Sequence, residues 1–308
     1  MKQRVIFPIL LVCCLVLGQH SVQATEGGSS DYFPGTFATF GVALPPEPGF
    51  MAVNQLLYYN GKADKAVLNG RVNLDMSANA VYNYMGGFYT YKEPVLGGRL
   101  QIGAVAPVAW VNTAYSIDTS LGSRSSSDAS SGVGDSLAQA ALFWKKGDLH
   151  YKLVQSVFVP TGVYNAANLA NPGMNHWAFD TSLAITWMNK RGTEISLVPG
   201  IMFNTMNNAT QYQSGNEFHL DFVVNQFLAK NFAVGVQGYY YSQLKGDSGS
   251  GALLGNFQGQ AFGVGPAVLW LPEAGKGRLS VVAKLIKDVS YTNRMHGDYG
   301  QFTVTYKF

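Results

Sequence analysis

The chain has few cysteines and few charged residues, and both shortages limit the classes of protein it can belong to. Its 308 residues include two cysteines, Cys13 and Cys14, and both lie in an amino-terminal stretch that resembles an export signal. Charged residues make up 13% of the chain, against roughly 25% in a typical soluble domain. A secreted chain without disulfides must be held together by a large core or by a membrane.

The first 24 residues have the composition of a secretory signal peptide. Lys2 and Arg4 precede an apolar run from Val5 to Leu17, and Val22-Gln23-Ala24 places small residues where a signal peptidase reads them. The run is shorter than the about 20 apolar residues of a membrane-spanning helix. We therefore expect residues 1–24 to be cleaved, which leaves 284 of the 308 residues.

After Leu17 the sequence contains no apolar run that is long enough for a spanning helix, although 47% of the chain is hydrophobic. It is also rich in aromatic residues, with 17 Tyr, 18 Phe and 5 Trp. A lipid-facing β-barrel produces this combination, because its apolar residues are spread over alternate positions. Without Lys2 and Arg4, 19 basic residues stand against 18 acidic ones, so the charge does not favour a nucleic-acid partner.

The last eight residues alternate between apolar and polar side chains. Phe302, Val304, Tyr306 and Phe308 alternate with Gln, Thr and Lys, which predicts a strand with one face in lipid and the other in water. The same alternation recurs from Phe50 onward. We expect about twelve antiparallel strands, near residues 50–60, 76–91, 97–112, 135–146, 148–159, 177–189, 193–206, 216–228, 231–243, 258–271, 277–289 and 299–308.

The connections between these strands alternate between short turns and long polar loops, as they do in bacterial outer-membrane barrels. Long loops are expected at 119–131, 164–175, 207–216 and 245–255. The domain organisation predicted from this pattern is a signal peptide over 1–24, an irregular segment over 25–48 and a transmembrane β-barrel over 49–308. Residues 25–48 are rich in Gly, Ser and Pro and carry four aromatic side chains, Tyr32, Phe33, Phe37 and Phe40. They are either a plug inside the barrel or a disordered leader.

Five polar residues are candidates for the pore lining, because they fall on the wetter face of three predicted strands. These residues are Asp180, Glu194, His219, Asp221 and Asn225. We expect no catalytic, cofactor-binding or metal site. The four histidines outside the signal are scattered singly. Gly134-Asp135-Ser136-Leu137 matches the nucleophile block of an esterase family, but Asn293 stands where the late Asp-x-x-His motif needs Asp.

An ordered series of short motifs resembles one known outer-membrane family. The motifs are Leu44-Pro45-Pro46 with Pro48-Gly49, Gly132-Val133-Gly134-Asp135, Pro160-Thr161-Gly162-Val163-Tyr164, Asn175-His176-Trp177, Asn208-Ala209-Thr210-Gln211-Tyr212 with Ser214-Gly215, Gly238-Tyr239-Tyr240, Gln243, and Gly263-Val264-Gly265-Pro266. In this order and spacing they resemble the family named after the meta-pathway of phenol degradation. The resemblance implies a barrel that admits hydrophobic or aromatic compounds, and it carries over no binding residues.

These observations together predict an all-β barrel of the bacterial outer membrane that takes up small hydrophobic or aromatic compounds passively. Its expected partners are outer-membrane lipid, those solutes, and the barrel-assembly machinery through Phe308. Two alternatives stay open at this point. One is an outer-membrane lipid hydrolase with a Ser-His pair at the rim, and the other is a secreted soluble β-sandwich that binds a ligand.

Overall fold

The computed structural model describes residues 25–68, 71–119, 122–255 and 258–308, and the side chains of 67–74 and 117–123 are left out of the description. The predicted signal peptide lies outside the described residues. Within them the chain forms thirteen strands and two short 3-10 turns, Glu26–Gly28 and Glu273–Gly275. The strands are β1 (Gly49–Leu68), β2 (Arg71–Val95), β3 (Gly98–Thr119), β4 (Gly122–Val133), β5 (Ser136–Lys146), β6 (Leu149–Val159), β7 (Ala178–Met188), β8 (Thr193–Asn204), β9 (Glu217–Ala229), β10 (Phe232–Gln243), β11 (Gln260–Trp270), β12 (Leu279–Thr292) and β13 (His296–Lys307).

These strands close into a twelve-stranded antiparallel barrel, because β4 and β5 together occupy one position. β4 pairs with the second half of β3, which starts at the pair Val108↔Val133. β5 pairs with the first half of β3, which ends at the pair Val105↔Leu137. The break falls at Gly134, whose N–H donates to the carbonyl of Pro107 at 2.9 Å. Pairing of β1 with β13 closes the sheet into a barrel, and of the described strands β4 pairs on one side alone, with β3. The predicted twelve-stranded barrel is confirmed, and the soluble sandwich is wrong.

The first strands are longer than predicted. β1, β2 and β3 contain 20, 25 and 22 residues, whereas 9–11 tilted residues are roughly enough to cross a bilayer. Residues 119–131, which were expected to form a loop, belong mostly to β4. The Ser-rich strand β4 carries no apolar alternation, so neither of its faces is suited to lipid. Backbone pairing with β3 supports it instead.

The two faces of the barrel wall differ as the alternation predicts. On β7 and β8 the side chains that point outward are apolar, including Phe179, Leu183, Ile195 and Leu197, and they are exposed to the surrounding medium. The intervening residues are buried and, apart from Val198 and Met202, polar or small. An outer face of this kind is stable only against hydrocarbon, because water would meet a continuous apolar band.

The two ends of the barrel also differ. One end carries short turns such as Leu96-Gly97 and Gly147-Asp148, and both Gly49 and Lys307 lie there. The other end carries the connections 160–177, 205–216 and 244–259. Short turns face the periplasm and long loops face outward in bacterial barrels, so we call these the periplasmic and outer ends. No described helix has the length and apolar character needed to cross a membrane.

Residues 25–48, hereafter the lumen segment, run through the barrel interior from the outer end to the periplasmic end. The Glu26 N–H lies 3.4 Å from Ser214 Oγ near the outer end, and the Pro46 carbonyl accepts from Arg99 of β3 near the periplasmic end. An eight-stranded barrel is filled by its own side chains. Twelve strands enclose more space, and here the lumen segment fills part of it.

Candidate functional site

All five polar residues predicted for the pore lining lie on the inner face of three consecutive strands. Asp180 is on β7, Glu194 is on β8, and His219, Asp221 and Asn225 are on β9. Their exposed fractions are between 0% and 2%. The structure brings them together as one polar wall, in which Asp221, Glu194 and His219 contact the lumen segment. Asp180 bonds to His219, and Asn225 bonds to Glu194. Their role along a solute path stays a prediction.

Asp221 is the centre of the contact between this wall and the lumen segment. Its carboxylate accepts hydrogen bonds from the Tyr32 hydroxyl and from the backbone N–H groups of Phe37 at 2.9 Å and Ala38 at 3.0 Å. His219 lies beside it, with its ring stacked on Tyr32 at a centroid distance of 4.2 Å. His219 Nε2 is 2.7 Å from Asp180 Oδ2. Three of the predicted residues therefore hold Tyr32 and the turn that follows it.

Glu194 makes the next contact toward the periplasmic end. Its carboxylate accepts from the Gly41 N–H at 2.9 Å, from Ser196 Oγ at 2.8 Å and from Asn225 Nδ2 at 3.1 Å. Backbone donors of an irregular segment need acceptors when they are buried. The polar wall supplies those acceptors at fixed positions, which explains why charged side chains are tolerated inside the barrel.

Lys284 of β12 belongs to this contact, although sequence reasoning did not select it. Its Nζ donates to the carbonyls of Gly35 at 2.6 Å and Ala38 at 2.8 Å. Lys284 follows Val282 and precedes Ile286 on the same face, and all three are buried. A lysine in an otherwise apolar row was the available signal, since an inward lysine requires acceptors.

Near the outer end, the lumen segment is held by an ion pair outside the strands. His176 Nε2 lies 3.3 Å from Asp31 Oδ2, and both side chains are buried. Burial raises the pKa of Asp31 to about 7, although His176 acts in the opposite direction. Burial lowers the pKa of His176, but Asp31, the Met174 carbonyl, Asn204 and Glu217 together outweigh burial and raise the pKa above its ordinary value. The pair therefore retains a proton more readily in the docked segment than in water.

The opposite wall, formed by β1, β2 and β3, has a different inner face. The side chains there are mainly apolar or aromatic, and they include Leu57, Tyr59, Met76, Ala80 and Ala109. Between this wall and the lumen segment, toward the outer end, lies a cavity of about 130 Å³, which we call the upper cavity. A lower cavity of about 640 Å³ surrounds the periplasmic half of the segment and extends to other strands.

Phe33 separates the two cavities. It lines both of them, and its ring packs edge-on against Tyr82 of β2 at a centroid distance of 5.2 Å. The upper cavity lies above this ring pair, and the lower cavity lies below it on the side of Tyr84 and Phe88. A solute moving along the apolar wall would have to pass the Phe33–Tyr82 pair.

The esterase-like motif has a structural setting of its own. Ser136 begins β5 and bonds to Thr161 Oγ1 at 2.8 Å. Asp135 accepts from the N–H groups of Gly162 at 2.8 Å and Met174 at 2.6 Å, so it ties the 160–177 loop to the wall. No group of three or more metal-ligating side chains is found among the described residues.

Comparison with known families now identifies the relatives of this barrel. Residues 59–304 match the family described as "Putative MetA-pathway of phenol degradation". The chain belongs to that family. The resemblance predicted from the short motifs is therefore confirmed. A search of curated proteins found no match.

Solved structures share the barrel fold at low sequence identity. A crystal structure of an outer membrane channel from Pseudomonas putida F1 superposes with a TM-score of 0.69 and 16% identity, over 90% of this chain and 100% of that one. The β-domain of the Bordetella autotransporter BrkA gives a TM-score of 0.54 and 11% identity, over 84% of this chain and 100% of that one. With its apolar outer face, this barrel is a protein of the bacterial outer membrane.

Proposed function

We propose that the protein is a passive channel that admits small hydrophobic or aromatic compounds through the outer membrane. The observation that carries the proposal is the apolar and aromatic inner wall of β1–β3, which borders both cavities. A general porin offers a water-filled polar lumen. Such a lumen disfavours apolar solutes, because their apolar surface stays in contact with water and gains nothing from burial. An apolar wall beside a filled lumen favours them.

The solute path that we propose runs between the lumen segment and the β1–β3 wall. It begins in the upper cavity near Tyr59 and Met76, passes the Phe33–Tyr82 pair, and continues into the lower cavity. The polar wall on the other side contacts the lumen segment through Asp221, Glu194 and His219. Its role in this scheme is to hold the segment in place rather than to contact the solute.

The lumen segment acts in this proposal as a plug against water and hydrophilic solutes. Its position across the lumen, with contacts near both barrel ends, supports that role. The relatives support a channel in general terms: the Pseudomonas protein is named as an outer membrane channel, and the family is named for phenol degradation. These names do not identify the solute of this protein, so the choice of hydrophobic or aromatic compounds is part of the proposal alone.

The test measures initial uptake of a labelled hydrophobic aromatic and of a small hydrophilic sugar, in cells with and without the protein. Faster entry of the aromatic alone is the expected result. Faster entry of both compounds would make the protein a general porin. No change in either compound would contradict a transport function.

A further inference from the structure

Arg294 is a buried cation, and two of its three side-chain nitrogens have no hydrogen-bond partner among the described residues. It lies in the short connection between β12 and β13, with 5% of its surface exposed. Its guanidinium carbon is 4.0 Å from the centroid of the Tyr241 ring. Within the described part of the chain, Nε and Nη1 have no hydrogen-bond partner, and no carboxylate lies within 4 Å of the side chain.

The acidic groups that influence Arg294 electrostatically are occupied by other donors. Asp288 accepts from the Tyr239 hydroxyl and from the Gly297 N–H at 2.9 Å. Glu217 accepts from Ser30 Oγ at 2.5 Å and from Asn204 Nδ2 at 2.6 Å. Buried guanidinium nitrogens that have no acceptor are costly, and stacking on Tyr241 offsets only part of the cost for Nε and Nη1. An acceptor from outside the chain would resolve it.

The upper cavity, which Arg294 lines, has the size and lining of a site for one aromatic ring. Its volume of about 130 Å³ is close to that of an apolar protein cavity of about 150 Å³ that binds benzene. Tyrosine and methionine side chains dominate the wall, and both types make favourable contacts with ring edges and faces. They include Tyr59, Tyr82, Tyr299, Met76, Met174 and Met295.

The 160–177 loop covers this cavity from the outer end. Leu169 and Met174 of the loop line the cavity directly. The loop is held there by Asp128, which accepts from the N–H groups of Leu169 at 2.9 Å and Ala170 at 3.1 Å, and by Asp135, which accepts from Met174. The cavity is therefore built from five parts of the chain: the loop, the lumen segment, the β1–β3 wall, the Arg294 connection and β13.

We propose that this cavity binds a single aromatic ring that carries an acceptor oxygen, with the Arg294 guanidinium donating to that oxygen. The inference rests on the proposed function, because the cavity is the first part of the proposed path. Glu26 also lines the cavity and is bonded by Asn207 Nδ2 at 3.0 Å. Its charge disfavours a second carboxylate, so a neutral phenolic hydroxyl binds more tightly here than an aromatic carboxylate.

The experiment is a ¹⁹F NMR titration of the full barrel in lipid nanodiscs with 4-fluorophenol, 4-fluorobenzoate and fluorobenzene. The native protein should bind 4-fluorophenol most tightly. Arg294→Met should weaken 4-fluorophenol binding by about ten- to a hundredfold, the usual range for a hydrogen bond to a charged group, and leave fluorobenzene binding within about twofold. Arg278→Met is the matched control, because Arg278 is exposed at the periplasmic end and should change nothing.

A second variant guards against misfolding of the first. Ala78→Phe fills the cavity while Arg294 is kept, and it should abolish binding of all three probes, while the barrel keeps its heat-dependent mobility shift on a denaturing gel. Equal binding of 4-fluorophenol to native and Arg294→Met protein would overturn the proposal, since water would then be the partner of the guanidinium. Tighter binding of 4-fluorobenzoate than of 4-fluorophenol would overturn the role given to Glu26. Normal binding without aromatic uptake in cells would reject the channel function and retain the site.

Discussion

The two walls of the barrel treat the lumen segment in opposite ways. The wall of β7–β9, together with Lys284 of β12, holds the segment with buried charges and hydrogen bonds, centred on Asp221. The wall of β1–β3 faces the same segment across two cavities, with tyrosine, methionine and alanine side chains. The first wall fixes the middle of the segment, whereas the second bonds it near its end, through Arg99 to Pro46, and borders both cavities.

This difference teaches how one barrel can exclude water and still offer an apolar path. Directional hydrogen bonds to backbone groups hold an irregular segment in one position. Apolar surfaces make no directional demands, so solutes of varied shape can move along them. The predictions that follow test whether the two walls have separate roles, and they run from the largest expected effect to the smallest.

Deletion of residues 27–46 removes most of the lumen segment, which both walls face, so it should have the largest effect. We expect single-channel conductance to rise from near closure to a steady open level, because twelve strands enclose more space than their own side chains fill. Uptake of the hydrophilic sugar should rise with it. The heat-dependent gel shift serves as the folding control. Unchanged conductance would rule out the plug.

Asp221→Ala should release the lumen segment from the polar wall. Two backbone N–H groups and the Tyr32 hydroxyl would lose their acceptor, which costs about 2–4 kcal/mol of docking free energy. Hydrogen exchange measured by mass spectrometry over residues 30–45 should accelerate by roughly 30- to 1,000-fold, as such a loss implies.

The matched control for Asp221 is Gln101→Ala on the opposite wall. Gln101 is also buried, but its side chain donates to Thr90 of the neighbouring strand rather than to the lumen segment. Exchange over residues 30–45 should stay at the native rate in this variant. Equal acceleration in both variants would remove the distinction between the walls.

Docking of the lumen segment should weaken as the pH rises. The docked Asp31 carboxyl keeps its proton up to a pKa of about 7, whereas in water it loses that proton near pH 4. The raised pKa of docked His176 acts in the same direction, because a group that binds protons more tightly when docked stabilises docking at low pH. We expect the frequency of channel openings to increase on the order of tenfold between pH 5.5 and pH 8.5.

The control for this pH effect is Asp31→Asn, which removes the carboxyl group whose pKa is raised. Its opening frequency should vary less with pH than that of the native channel. An opening frequency that falls as the pH rises would have the wrong sign. It would contradict the idea that protonation of Asp31 and His176 stabilises docking.

Phe33→Ala should have the smallest effect, because it changes one ring pair between the two cavities. Loss of an aromatic pair corresponds to about 0.5–1.5 kcal/mol, so uptake of the hydrophobic aromatic should rise by about two- to tenfold. Phe40→Ala is the comparison variant, since Phe40 lines only the lower cavity. Equal effects of the two substitutions would show that the Phe33–Tyr82 pair is not the constriction.

Much of the barrel could be predicted from the sequence because lipid imposes a simple rule on each strand. Outward residues such as Phe203 and Leu197 must be apolar, while inward residues such as Glu194 are not restricted in this way. The predicted strands between 135 and 308 agree with the observed ones to within a few residues. The parts of β1–β4 toward the outer end were not predicted, because the rule does not apply to strand residues that lie beyond the lipid.

The candidate site was predictable only as a set of inward residues. Alternation placed His219 and Asp221 on the inner face, but it gave no indication that Tyr32 and the backbone of Phe37 and Ala38 would occupy them. Arg294 lies in a connection where there is no alternation to follow. Its importance comes from contacts that it lacks, and a sequence does not reveal those.

The sequence by itself determined the class of fold, the membrane and the face on which each strand residue lies, because these follow from a local rule repeated every two residues. Only the tertiary structure decided that residues 25–48 lie inside the barrel, that one wall holds them, and that Arg294 borders a cavity the size of an aromatic ring. These features depend on contacts between residues more than a hundred positions apart, such as Tyr32 with Asp221. Closure of the barrel brings such residues together, and no local pattern encodes which of them will meet.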